Sequence, residues 1–533
     1  MMRCLLVLLA VAGLAVADTY PRQSGVDALH YTFRITLGKS GDDISGEATA
    51  DIRFLSAGVQ TLLLDLTSPE AGKGMTVSEV SSGATPLAFS HQQNRLAIAL
   101  PVAPAPGDRR QFTVKYHGPP TGSFVSSLNS HGDLGIFSAN WPDLARQWLP
   151  VIDHPYDKAT SEFLVTAPVK YQVVANGVLV EERALGNGQR LTHWRQDQPI
   201  ASWLNAVGIA EFSVRTFAVI RGIPLQTWVP WQEREAGIDT FDLPARQALE
   251  FLSDFVGPYP YSKLANIWAW VPGFRGGTEH AGAIFYACCK SSPDVVWHEI
   301  AHQWFGDAIT EKDWDDIWLS EGFATYFTHL TREHYEGRDA FVAGLRADAP
   351  RIFAAERQFP GEPVVHNNLS DMKKVMQPNQ VIYQKGSWVL HMLRGQIGTD
   401  NFRSGIREYY RLYRDGNAST DDFRRVMEET AGQDLRWFFD QWLHRSPSPV
   451  VAGLWHYNSL SKHIELSLTQ TQAGQPYRLP LEVSLTVDGK PRIQKLEFTA
   501  KQHSFTFAAE REPSSLMLDP NTWILMDSRL EKN

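Results

Sequence analysis

One stretch decides the reading. It runs Ser292-Pro293-Asp294-Val295-Val296-Trp297-His298-Glu299-Ile300-Ala301-His302, and then continues through Trp318-Leu319-Ser320-Glu321-Gly322-Phe323-Ala324. On a helix, residues four apart lie on one face, so His298 and His302 can share one metal ion, with Glu299 beside its open position. The helix signals are in place. Ser292 is a good N-cap, Pro293 suits the first helical position, Asp294 falls in the first turn and Gly306 marks the end. Glu321 opens a second helix and supplies a third ligand. Two histidines and one carboxylate, with a fourth position left to water, form a catalytic rather than a structural zinc pattern. The bland alternative is two surface histidines on a core helix and an ordinary glutamate, and the spacing of Glu321 weighs against it. The sequence therefore predicts one Zn2+ per chain, held by His298, His302 and Glu321.

Around this segment, residues 216–445 carry a helical period, clearest in 243–255, 294–305, 323–335 and 381–395. Residues 18–215 alternate apolar and polar, as in 31–37 and 48–54, with turn signals at Asn176-Gly177 and Gly186-Asn187-Gly188. Ser446-Pro447-Ser448-Pro449 reads as a linker. Alternation returns in 463–470, 481–487 and 504–508, enough for a small β-sandwich over 446–533. The expected architecture is α+β and multidomain, because one core does not grow to 533 residues.

Lys plus Arg number 50 and Asp plus Glu 59, a net charge of −9 with no basic run. That argues against nucleic acid as a partner. Residues 1–17 read as a signal peptide. Met1-Met2-Arg3 precedes an apolar run from Cys4 to Val16, and Ala15-Val16-Ala17 fits a cleavage site. The run falls short of the roughly 20 residues that span a bilayer. A secreted or periplasmic protein with no membrane anchor after cleavage is the expectation. Cleavage would leave only the adjacent Cys288 and Cys289, read as two small buried thiols, with a vicinal disulfide as the alternative.

The motifs together resemble the gluzincin aminopeptidases, the family of alanyl and leucyl aminopeptidases and leukotriene hydrolase. The zinc segment with Glu321 carries the resemblance most specifically. Gly276-Gly277-Thr278-Glu279-His280 resembles the family's exopeptidase motif G-[AG]-M-E-N, and Tyr259-Pro260-Tyr261-Ser262-Lys263-Leu264 resembles its lead-in. Tyr383-Gln384-Lys385-Gly386 resembles the Y-x-K-G segment, and Phe439-Asp440-Gln441-Trp442-Leu443 the end of the catalytic domain. His30-Tyr31 and the strand at Gly46 resemble the family's first strands. The resemblance implies an N-terminal antiparallel β domain, a thermolysin-like, mainly α catalytic domain and a C-terminal β-sandwich.

It also implies roles. Glu299 is the expected general base, Tyr383 the donor to the oxyanion, and Glu279 the carboxylate that holds a substrate α-ammonium group. Gly276, Gly277, Thr278 and His280 complete the substrate-binding motif. Two positions depart from it: Thr278 stands for Met and His280 for Asn. The family's second α-amine anchor, Glu or Gln, aligns with Trp141, where Asn140 or Asp143 could substitute or the indole could stack on a side chain. Larger members carry a C-terminal helical domain over the site. Here the expectation is a more open cleft, or one closed by a second subunit in a homo-oligomer. The implied partners are peptides and the implied reaction is removal of amino-terminal residues. The alternatives are a zinc endopeptidase and a non-catalytic peptide-binding protein on the same scaffold. For the histidines' outer nitrogens, Asp313, Asp315 or Asp316 are candidate partners. Asn368-Leu369-Ser370 and Asn417-Ala418-Ser419 are glycosylation sequons.

Overall fold

The computed structural model describes residues 18–38, 43–288 and 290–533. The expected leader at 1–17 lies outside them, and so does Cys289. Among the described residues, no helix is long and apolar enough to cross a membrane.

The N-terminal half is β-rich, as its alternating pattern predicts. Its main sheet has eight strands, with Val26–Leu37 at the centre between Ile44–Phe54 and Lys158–Pro168. Alternate residues of the first strand, Tyr31, Phe33 and Ile35, are buried, because successive side chains point to opposite faces. The sheet departs from expectation in one place. Val26–Leu37 pairs with Lys158–Pro168 in parallel, while every other neighbouring pair is antiparallel. A parallel pair needs a long crossover, and the chain between the two strands supplies it with a three-stranded sheet and two strands of a four-stranded one.

A five-stranded sheet then begins the central region, in the order Phe212–Ile220, Ile223–Pro230, Leu264–Trp268, Ala283–Tyr286, Gly277–Thr278. The short Gly277–Thr278 strand is its edge. Five helices matter for the site: α1 (Arg234–Phe255), α2 (Pro293–His302), α3 (Trp318–Glu336), α4 (Arg338–Gln358) and α5 (Gly386–Ile397). Ser292 caps α2 as expected, its Oγ accepting from Val295 N at 3.5 Å. A single π turn, Val381–Lys385, leads into α5. Such turns occur often at functional sites, and this one carries Tyr383. α3 and α5 meet backbone to backbone. A Cβ on Gly322 would stand 3.1 Å from Gly386 Cα, so the helix bearing Glu321 can approach the turn bearing Tyr383 this closely only with glycine at both positions.

The C-terminal region packs a four-stranded sheet on a three-stranded one, with Ile464, Leu466, Leu481, Val483 and Phe498 buried between. The Ser446–Pro449 segment, expected as a linker, is tied down. Ser448 N and Oγ both donate to Glu356 of α4, at 3.0 and 2.8 Å. Cys288, expected to be buried, is exposed, and its thiol is free among the described residues. It lies in the bend after Ala283–Tyr286, where the chain has left the sheet that buries its predecessors.

Candidate active site

α2 places His298 and His302 one turn apart, and the first turn of α3 brings Glu321 against both. The two Nε2 atoms are 3.0 Å apart, and Glu321 Oε2 is 3.2 Å from each. Ligands about 2.0–2.1 Å from a tetrahedral zinc lie about 3.3 Å from one another, so these three atoms match the corners of one such site. The chemistry of the set agrees. Burial holds the His298 imidazole below its ordinary range, in the neutral form that coordinates. His302 Nδ1–H donates to the Phe305 carbonyl at 3.2 Å, with Ser320 Oγ at 3.0 Å, which turns Nε2 toward the other two ligand atoms; burial acts to lower this imidazole, but the charges of Glu279 and Glu321 outweigh it and raise the group well above its ordinary range. Burial acts to raise the Glu321 carboxyl, but His302 and His298 outweigh it and hold the group ionised.

None of the three aspartates named as outer partners reaches His298 or His302. Asp315 accepts from Asn368 N and Leu369 N at 2.8 Å, Asp316 from Thr420 Oγ1 at 2.5 Å, and Asp313 from Asp315 N at 3.2 Å. The loop and Ser320 supply that contact instead. Ser320 directly precedes Glu321, so the residue before a ligand was the available signal.

Two further carboxylates complete the cluster. Ligand atoms of Glu279, Glu299 and His302 all lie within 4.8 Å of one another. Burial, then each carboxylate's charge, pushes Glu299 well above the usual carboxylate range, and burial raises Glu279. A cation at the ligand set relieves that repulsion. The backbone of Gly277 passes so close to Glu299 that a Cβ there would lie 2.4 Å from its Cγ. Gln303 joins this edge strand to α2: its Nε2 donates to the Glu279 carbonyl at 2.9 Å and its Oε1 accepts from Gly282 N at 2.8 Å. Tyr383 Oη donates to Glu321 Oε1 at 2.7 Å. Burial, reinforced by Glu321, keeps the tyrosine protonated and so a donor.

These groups line a cavity of about 530 Å3 that also takes in Gly276. Thr278, His280 and Trp141 are not among its lining residues. In extended chain, side chains alternate, and here Gly277 and Glu279 take the cavity side. His280 is fully buried with its ring 4.9 Å from Phe285, and Trp141 packs edge-on against Trp314 at 6.1 Å. Asn140 is engaged with Asn205 O at 2.6 Å and Trp148 Nε1 at 2.8 Å, and Asp143 with Arg146 at 3.5 Å. No second polar anchor for an amine therefore reaches the cavity from residues 140–143. Beyond Glu321, α3 contributes Thr325, Thr328, His329 and Arg332. These follow the ligand at intervals of four, seven, eight and eleven, so helical periodicity from Glu321 is the signal that finds them.

Two sequence comparisons and one structural comparison place the fold. The model of the peptidase M1 N-terminal domain matches residues 27–204, and that of the peptidase family M1 domain matches residues 245–442. Aminopeptidase A of Gloydius brevicauda is 26% identical over 454 residues, covering 80% of this chain and 47% of its own length. Glutamyl aminopeptidase of Rattus norvegicus is 23% identical over 501 residues, covering 88% and 53%. The chain thus spans about half the length of these relatives. Among solved structures, Legionella pneumophila aminopeptidase A in complex with aspartic acid superposes with a TM-score of 0.82 at 18% identity, covering 96% of this chain and 60% of that one. The M1 zinc metallopeptidase of Deinococcus radiodurans gives 0.68 at 24% identity, covering 79% and 95%. At these identities the superpositions establish the fold. Both halves of one family's architecture are matched in order along the sequence, and the chain belongs to peptidase family M1.

Proposed function

We propose that this chain is a zinc-dependent aminopeptidase. The observation that carries the reading is the placement of one buried carboxylate, Glu279, beside Glu299 and His302 in a cavity that His298 and Glu321 also line. Zinc at the three ligands would supply a Lewis acid that acidifies water and polarises a peptide carbonyl. The remaining work falls to the protein. The open edge of Gly277–Thr278 offers backbone groups to an extended peptide. Glu279 pairs with the substrate α-ammonium group and sets the first residue in register. Glu299 takes the proton of the attacking water and passes it to the leaving amine. Tyr383 turns its hydroxyl from Glu321 to the carbonyl oxygen as negative charge grows there. The aminopeptidase names among the relatives support the same reading. The apolar run at residues 4–16 supports export of the chain by a cleaved leader, and the position of Glu279 favours exopeptidase over endopeptidase action.

The test is hydrolysis of aminoacyl-arylamides and their amino-blocked counterparts, with and without a chelator. Chelator-sensitive cleavage of free-amine substrates alone is the expected result. Glu279→Ala should lower kcat/KM for them by about a hundredfold, as expected when a buried charge loses its partner. Equal cleavage of blocked substrates would put the endopeptidase reading first. Peptide binding without turnover would favour the binding protein.

A further inference from the structure

The cavity has two chemically different ends, and α2 runs from one to the other. Glu279 lies at the His302 end, held there through Gln303. Asp294, in the first turn of α2, lies at the opposite end, paired with Arg332 of α3. Arg351 of α4 also lines the cavity and pairs loosely with Asp348 at 3.8 Å. Arg275 joins the same end. Its neighbour Gly276 accepts through its carbonyl from Ala287 N at 2.9 Å, in the segment that leads into α2. Arg332 also approaches Glu336 at 3.6 Å, so both Arg332 and Arg351 already have carboxylate partners. Arg275 is the odd one: it is exposed, lines the cavity and makes no ion pair or hydrogen bond among the described residues. A free cation at a cavity mouth stands out in a chain of net charge −9.

We propose that Arg275, with Arg332 and Arg351 behind it, receives the C-terminal carboxylate of a short peptide whose amino terminus sits at Glu279. The inference rests on the aminopeptidase reading above for the direction of the peptide. Its length follows from the helix. His302 to Asp294 is eight residues, about 12 Å at 1.5 Å per residue. An extended peptide advances about 3.3 Å per residue, so three or four residues span the two ends. Guanidinium groups suit a terminal carboxylate because they meet its two oxygens with two parallel donors. The site therefore selects tripeptides and tetrapeptides with a free carboxyl end.

The experiment compares Ala-Ala-Ala with Ala-Ala-Ala-amide on the zinc-loaded full chain, on Arg275→Ala and on Arg275→Glu. Two quantities are read: kcat/KM, and the dissociation constant on the Glu299→Gln background. Each acid-to-amide ratio is internal to one protein, so it does not depend on the fraction that folds. The unsubstituted protein should prefer the acid roughly fivefold, the scale of a partly exposed ion pair. The ratio should fall to about one in Arg275→Ala and below one in Arg275→Glu. Equal handling of acid and amide by the unsubstituted protein overturns the proposal, and so does a preference that survives Arg275→Ala. A preference for Ala-Glu-Ala-amide over Ala-Ala-Ala-amide that Arg275→Ala removes overturns it in favour of an acidic side chain. Absence of turnover would strike the catalytic reading, while the ratio of dissociation constants would still decide this one.

Discussion

Glu299→Gln should lower kcat for a free-amine arylamide by about a thousandfold while zinc content and KM stay nearly unchanged. The substitution keeps the shape of the side chain. That matters here, because the Gly277 backbone passes within contact distance of the Glu299 carboxyl group and leaves no room for a larger one. It also keeps the ligands, since His298, His302 and Glu321 hold their mutual spacing of 3.0–3.2 Å without Glu299. What it removes is a proton acceptor. General acid–base catalysis by one positioned group contributes about 10²–10⁴-fold, and Glu299 is asked to act twice, on the water and on the leaving amine. Steady-state kinetics together with metal analysis of the purified protein checks this. A loss of less than tenfold would move the proton-transfer role to another group, and Glu279 is the other carboxylate within reach. A parallel loss of zinc would mean that Glu299 acts by holding the ligand set together.

How much of this site could be read from sequence depends on whether the relevant contact is local. His298, Glu299 and His302 are one turn of helix, and helix signals lie within a few residues, so the motif and its cap were legible. Glu321 was legible because it opens the next helix at a fixed distance. The expected helices at 243–255 and 323–335 fall inside α1 and α3, whose boundaries extend further because packing continues past the clearest periodic stretch. The contacts that failed to appear in the sequence are long-range. The parallel pairing of Val26–Leu37 with Lys158–Pro168 joins residues 130 apart, such as His30 and Thr160, and no local pattern distinguishes it from an antiparallel neighbour. Trp141 aligned with an anchor position yet packs on Trp314, because alignment gives a place in the chain and not the direction of a side chain. Arg275 drew no attention for the same reason: an arginine in a glycine-rich loop is ordinary until the fold sets it at the mouth of the cavity. Asn417 matched a sequon, but its Nδ2 donates to Pro155 O at 2.7 Å and Glu311 O at 3.2 Å, so the amide is already committed.

The Pro-Ser-Pro segment shows the same limit and leads to the second large effect. Lys385→Met should destabilise the protein by about 3–5 kcal/mol and also lower kcat per folded molecule about tenfold. Lys385 ends the π turn that carries Tyr383, and its side chain is fully buried. Its Nζ donates to Glu356 Oε1 at 2.8 Å and to the Arg445 carbonyl at 3.1 Å. Glu356 in turn accepts from Ser448 N and Oγ. One buried ion pair thus joins the Tyr383 turn, α4 and the segment that enters the C-terminal sandwich. Removing only the lysine leaves a buried carboxylate with two neutral donors, and the cost of stranding that charge exceeds what the pair contributes over an uncharged replacement. The double variant Lys385→Met, Glu356→Gln strands no charge and should recover much of the lost stability in thermal unfolding, the Arg445 carbonyl still losing its donor. The kinetic effect has a distinct signature. Tyr383 meets the carbonyl oxygen as charge develops, so a loosened turn lowers kcat and leaves KM nearly constant. The Gly322–Gly386 contact still holds one side of the turn, which limits the loss to about tenfold and keeps it well short of deleting the hydroxyl. If the single variant unfolds at the same temperature as the unsubstituted protein, the pair carries no such load. If its kcat is unchanged as well, the C-terminal sandwich is not coupled to Tyr383 through Glu356.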